Sequence, residues 1–193
     1  MSRKYFRVYS ILGVLLVLQA CAAAVVTGGA ASTASVANDR RTAGTVIEDQ
    51  AIELKAGQAF HNDKDIFKQA HWNVTSYNTI VLVTGEAPDE ELRQRMIDIV
   101  RNIPKVTHVY NEITIAAPSS LMSRSSDTLI TAKVKSKLLS NENTEGLRIK
   151  VVTENGTVYL MGILYKKEAE LATDITRKTG GVQKVVKLFQ YLD

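Results

Sequence analysis

Cysteine is almost absent from this chain: one residue in 193. A single thiol excludes an intramolecular disulfide and any cysteine-based zinc site. Three prolines and 45% hydrophobic residues exclude a disordered chain and fit ordinary globular domains. No Gly-rich phosphate loop, nucleophile elbow or dinucleotide fingerprint occurs. His61, His71 and His108 are far apart and none has a partner at metal-ligand spacing. Glu90-Glu91 and Asp63/Asp65 read as helix-start and loop charges rather than an acid–base pair, and Trp72 reads as strand packing. The expectation is a protein that binds rather than catalyses, with no cofactor and no metal. The formal charge of +4 is also less than it looks. Arg3, Lys4 and Arg7 fall in a segment expected to be removed, which leaves about +1 and no argument for nucleic acid.

What is present begins at the amino terminus. Met1 to Arg7 is short and basic, and Val8 to Leu18 is an apolar run broken only by Tyr9, Ser10 and Gly13, too short for a permanent span. Residues 1–20 therefore read as a signal peptide. Leu18-Gln19-Ala20-Cys21 resembles the lipobox of bacterial lipoproteins, in which the cysteine is acylated. Each buried CH₂ of an acyl chain contributes roughly 0.8 kcal/mol, and more than one chain is needed for stable anchoring. Ala22 stands where an Asp would retain such a protein at the inner membrane, so the resemblance implies the outer membrane, periplasmic face. Residues 21–44 are the expected lipidated Cys and flexible tether. The uncharged Ala22 to Asn38 stretch would span roughly 20–25 Å as a coil.

The remainder is an internal repeat. Val74, Asn78, Val81 and Gly85 match Val151, Asn155, Val158 and Gly162 at an offset of 77. Ile52, Ala56 and Phe60 match Ile130, Val134 and Leu138 at 78, and Val106, Val109 and Ile113 match Val182, Val185 and Phe189 at 76. Each copy opens with an amphipathic helix, apolar at every fourth position, with Asp127 as the expected N-cap of the second. A hairpin follows, turning at Tyr77-Asn78-Thr79 or Glu154-Asn155-Gly156, where Asn-Gly suits a type I′ turn. A second helix (Asp89 to Asn102, Lys166 to Thr179) and a closing strand (Val106 to Ile115, Val182 to Leu192) complete an αββαβ unit of α+β class. Gly85 and Gly162 are expected to end the second hairpin strand. Both helices should pack on one face of a three-stranded mixed sheet, leaving the other open or against its twin.

This element order, the Asn-containing hairpin and the glycine that follows it resemble the BON domain, and the pair behind a lipobox is similar to the dual-BON outer-membrane lipoproteins of Gram-negative bacteria. The expected domains are 45–115 and 127–193, joined by a linker at 116–126. The resemblance implies that the second copy binds anionic phospholipid, such as phosphatidylglycerol, through its first helix and supports outer-membrane integrity, with the division site as one expected place of action. Charge agrees: residues 45–115 sum to −4 and residues 127–193 to +3. On helix Asp127 to Asn141, Ile130, Val134 and Leu138 lie within about 80° and form the core stripe. Leu129, Lys133, Ser136 and Ser140 share one flank. Together with Lys137 they are the expected lipid-binding residues. The matching first-copy helix carries Glu48, Asp49 and Glu53, expected to repel such a surface. Leu129 stands where the resemblance would place a Trp, and Leu lacks that residue's interfacial preference. A different reading keeps the anchor and makes the repeats a docking adaptor for outer-membrane assembly or division machinery, through open sheet faces or edges.

Overall fold

The computed structural model describes residues 39–192 except 142 and 145; the expected signal peptide, Cys21 and most of the tether lie outside them. Residues from 40 onward form one compact unit. The first repeat comprises α1 (Ala43–Asn62), α2 (Lys64–Gln69), β1 (His71–Tyr77), β2 (Ile80–Ala87), α3 (Glu90–Arg101) and β3 (His108–Ile115). The second comprises α4 (Leu121–Leu139), a 3₁₀ turn (Gly146–Arg148), β4 (Lys150–Glu154), β5 (Thr157–Tyr165), α5 (Lys166–Arg177) and β6 (Lys184–Leu192). The αββαβ order holds in both copies, with α2 as an addition confined to the first. Asp63 starts α2 by accepting the N–H groups of Asp65 and Ile66, and Ile66 is buried.

Each sheet has its hairpin antiparallel and its closing strand parallel. Val74 pairs with Val83 and Val151 with Leu160, Gly85 with Ile113 and Gly162 with Phe189, so the register reproduces the sequence offsets. Gly85 and Gly162 lie inside β2 and β5 rather than at their ends, because both strands run on to Ala87 and Tyr165. Both hairpin turns have two residues at positive φ: Asn78 (52°) and Thr79 (65°), then Asn155 (48°) and Gly156 (72°), the type I′ signature.

The central strands read as nearly continuous buried runs because both of their faces are covered. Val81 and Val83 point into a core with Ile52, Ala56, Phe60, Met96 and Val100. Val158 and Leu160 do the same with Ile130, Val134, Leu138 and Ala172. The alternate residues Leu82, Tyr159 and Met161 form a third core with Tyr77, Val152 and Leu188. The two sheets therefore bury their second faces against each other, and neither offers an open face for docking. Polar contacts rim this interface: Asn78 Nδ2 donates to Gln190 Oε1 at 2.7 Å, Tyr77 Oη to the Arg148 carbonyl at 3.2 Å and Tyr159 Oη to Glu112 Oε2 at 3.2 Å. Burial and the Glu112 carboxylate push the Tyr159 phenol well above its ordinary range.

Candidate functional site: an exposed helix and an inter-repeat cluster

Helix α4 begins six residues earlier than its sequence suggests. Its N-cap is Ser120, whose Oγ accepts the Ser123 N–H at 3.2 Å, so part of the expected 116–126 linker is helix. Asp127 is not a cap. It is buried on the inner stripe with Ile130, Val134 and Leu138, and its carboxylate accepts the N–H groups of Asn155 and Gly156, each at 2.9 Å. The early start was hidden because the inner positions of the first turns are polar: Asp127 binds the hairpin turn, and Ser123 Oγ donates to Asn155 Oδ1 at 3.3 Å.

The outer face of α4 carries the expected residues. Leu129, Lys133, Ser136, Lys137 and Ser140 are all exposed. Lys137 Nζ lies 3.4 Å from the Lys178 carbonyl, and Ser140 is the C-cap, its hydroxyl donating to the Ser136 carbonyl at 2.8 Å. The early start adds Leu121 and Met122, 77% and 82% exposed. At about 100° per residue Leu121, Met122, Leu129, Ser136 and Leu139 fall within about 100° of arc opposite the core stripe. Lys133 and Lys137 flank that arc on one side and Lys135 on the other. Asp127 is the helix's one acid and it is buried, so no carboxylate interrupts this face.

The first repeat's helix differs less by acidity than expected. Asp49 is buried and accepts the N–H groups of Asn78 and Thr79 at 2.7 and 2.8 Å and the Ser76 hydroxyl at 2.6 Å, while pairing with Arg41. Glu53 accepts the Ser76 N–H at 2.9 Å and lies 3.6 Å from Lys150 of the second repeat. Asp49 is thus turned inward and cannot repel an anionic surface, whereas Glu53 keeps 32% of its side chain exposed and Glu48 is half-buried. Ile47 and Leu54 are exposed on α1, so α4 differs from it by three lysines against the single Lys55 and by having no partly exposed acid such as Glu48 or Glu53.

A second constellation escaped the sequence. His71 (β1), Glu86 (β2) and Glu154 (β4) converge where the repeats meet. His71 Nδ1 lies 3.0 Å from Glu86 Oε2 and 3.8 Å from Glu154 Oε1. The carboxylates are only 2% and 8% exposed. Glu86 Oε1 accepts from Asn155 Nδ2 at 2.6 Å and Oε2 from the Ser119 N–H at 3.2 Å; Glu154 Oε2 accepts from Thr84 Oγ1 at 3.1 Å. Burial raises both carboxyls. For Glu86 the hydrogen bonds from Asn155, Ser119 and His71 outweigh it and hold the group below its ordinary value, whereas Glu154, beside Glu86, stays above. No sequence spacing announces this set, since its members come from three strands and two repeats. A groove of about 550 Å³ adjoins it, lined by Trp72, Thr75, Arg124, Lys150 and both His71 and Glu154. Trp72 packs edge-on against Phe60 at 5.2 Å, as expected of a packing residue.

Among the described residues no helix is long and apolar enough to cross a membrane. The chain matches the BON domain twice, over residues 48–117 and 126–193. It is 38% identical over 183 residues to the outer membrane lipoprotein DolP of Haemophilus influenzae, covering 95% of this chain and 94% of that one. It is 34% identical over 154 residues to the 21 kDa hemolysin of Actinobacillus pleuropneumoniae (80% and 79% covered), and 25% identical over 145 residues to osmotically-inducible protein Y of Escherichia coli (74% and 72% covered). With two family matches on two αββαβ units of the same strand pairing and a lipoprotein relative aligned along nearly its whole length, the chain belongs to the BON-domain family, among its tandem outer-membrane lipoproteins.

Proposed function

We propose that this lipoprotein, acylated at Cys21 and held on the periplasmic face of the outer membrane, reads anionic phospholipid with helix α4 and thereby supports envelope integrity. The observation that carries this reading is the outer face of α4, with exposed Leu121, Met122, Leu129 and Leu139 between lysines and without an exposed acid. Each lysine near an anionic surface contributes about 1 kcal/mol, and each half-inserted aliphatic side chain about 1 kcal/mol. Three lysines with Met122 and Leu129 give roughly 5 kcal/mol, equivalent to a dissociation constant of a few tenths of a millimolar. That is weak alone. An acyl anchor makes it sufficient by raising the local concentration of surface. The folded unit begins at Arg40, which is bound to the second repeat: its guanidinium donates to Glu168 Oε2 and Oε1 at 2.7 and 2.8 Å and to the Ile163 carbonyl at 2.8 Å.

The test is flotation of the chain from Ala22 onward with vesicles, with and without phosphatidylglycerol. Binding confined to anionic vesicles and lost in Leu129→Glu/Lys133→Glu is expected. Undiminished flotation of that double variant would place the lipid contact outside α4, and failure of the unaltered chain to float would favour docking of an envelope protein at a sheet edge.

A further inference from the structure

The His71, Glu86 and Glu154 cluster brings one imidazole nitrogen and two carboxylate oxygens together, the donor types that divalent metal sites use. Zinc bound by imidazole nitrogen and carboxylate oxygen at about 2.0–2.1 Å in a tetrahedron needs ligand atoms about 3.3–3.4 Å apart. The distances here, 3.0 Å and 3.8 Å from His71 Nδ1, bracket that edge, and all three ligand atoms lie within 4.8 Å of one another. Glu154 Oε1 is beyond hydrogen-bond reach of the imidazole, so a buried carboxylate faces the cluster with its charge only partly compensated. Two carboxylates and a neutral imidazole around a divalent ion sum to zero, the balance a buried site requires.

The surroundings fit as well. Each carboxylate has an orienting donor from outside the triad, Asn155 and Ser119 on Glu86 and Thr84 on Glu154, as ligating carboxylates do. His71 keeps 18% of its side chain exposed at the wall of the groove, which provides an entry path. A mixed nitrogen–oxygen set with so few carboxylates suits a first-row divalent ion of zinc type rather than calcium or magnesium.

We propose that His71 and Glu86 of the first repeat and Glu154 of the second bind one zinc-like divalent ion that staples the two repeats together. Binding to the folded, docked pair alone raises stability in proportion to the logarithm of metal concentration. The proposal stands apart from the lipid reading, since none of the three residues lies on α4.

The test uses the processed chain in detergent, stripped by a chelator and titrated with zinc chloride. Calorimetry should show one equivalent bound. The fluorescence of Trp72, the chain's single tryptophan and the neighbour of His71, should change until one equivalent is added, and the thermal midpoint should go on rising with the logarithm of free zinc. His71→Ala and Glu154→Gln should each weaken binding by about tenfold or more, with His108→Ala binding as the unaltered chain. In the unaltered chain, ring resonances of His71 should shift with zinc and those of His61 and His108 should not, which keeps the test independent of how variants fold. Absence of saturable binding at micromolar zinc, binding unchanged by His71→Ala and Glu154→Gln, or shifts at His61 or His108 instead would overturn it.

Discussion

Asp127 Oδ1 accepts the backbone N–H of Gly156 at 2.9 Å, from a helix 29 residues earlier in the chain. Asp49 makes the same bond to Thr79 at 2.8 Å in the first repeat. Each aspartate ties the middle of its helix to the tip of its hairpin and satisfies donors that a type I′ turn leaves pointing inward. The clasp matters more in the first copy, where β-branched Thr79 is held at a φ of 65° that such residues resist.

Asp127→Ala should therefore destabilise the protein by about 2–3 kcal/mol, since hydrogen bonds to a charged group are lost and buried donors are left unpaired. Asp49→Ala should cost more, because Asp49 also serves Ser76 and Arg41. Urea unfolding of the two variants reads the difference, and a larger loss from Asp127→Ala would contradict the assignment.

Gly85 and Gly162 are sequence equivalents with different structural demands. Gly85 sits at a φ of 130°, and a Cβ there would fall on the His71 carbonyl. Gly162 would meet the Arg148 carbonyl at 3.0 Å and Leu164 Cγ at 3.3 Å, tight but adjustable. Gly85→Ala should cost about 3 kcal/mol or more and Gly162→Ala about 1 kcal/mol, measured by thermal or denaturant unfolding.

The Arg40 clamp predicts an acid limb of stability. Arg40 holds the Glu168 carboxyl below its ordinary value of 4.5, helped by the Tyr165 N–H and Arg148 and opposed by burial. A carboxylate depressed on folding contributes its full stability above the unfolded value and loses it as pH falls through the folded one. Arg40→Ala should thus be less stable than the unaltered protein at pH 7, and the gap should close well below pH 4.5. A gap unchanged at pH 3 by urea titration would assign the clamp's contribution to something other than this charge pair.

On α4, Met122→Glu should reduce flotation with anionic vesicles as strongly as Leu129→Glu. Ile47→Glu on α1, equally apolar and exposed but beside a single lysine, should leave it unchanged. Binding should also fall with added salt, because exposed charges are screened beyond about 8–10 Å near physiological ionic strength.

Cys21→Ser should release the protein from membranes into the soluble periplasmic fraction, scored by fractionation. Equal membrane recovery would remove the acyl anchor from the proposed function.

The repeat, the αββαβ order and the register were legible in the sequence because they follow local periods. Ile130, Val134 and Leu138 return on one helix face, Val81 and Val83 on one strand face, and Asn155-Gly156 requires its own turn. Those signals reach only a few residues along the chain. Docking of the two sheets, burial of Asp49 and Asp127 and the meeting of His71 with Glu154 join residues far apart in sequence, as when Thr84 bonds to Glu154 across 70 positions. Polar side chains satisfied across an interface leave no periodicity, so an aspartate that caps a helix and one that clasps a distant turn look alike in sequence. Tertiary structure alone separated them, and it also moved the start of α4 to Leu121, since an inner helix position that bonds a turn can be polar and remain buried.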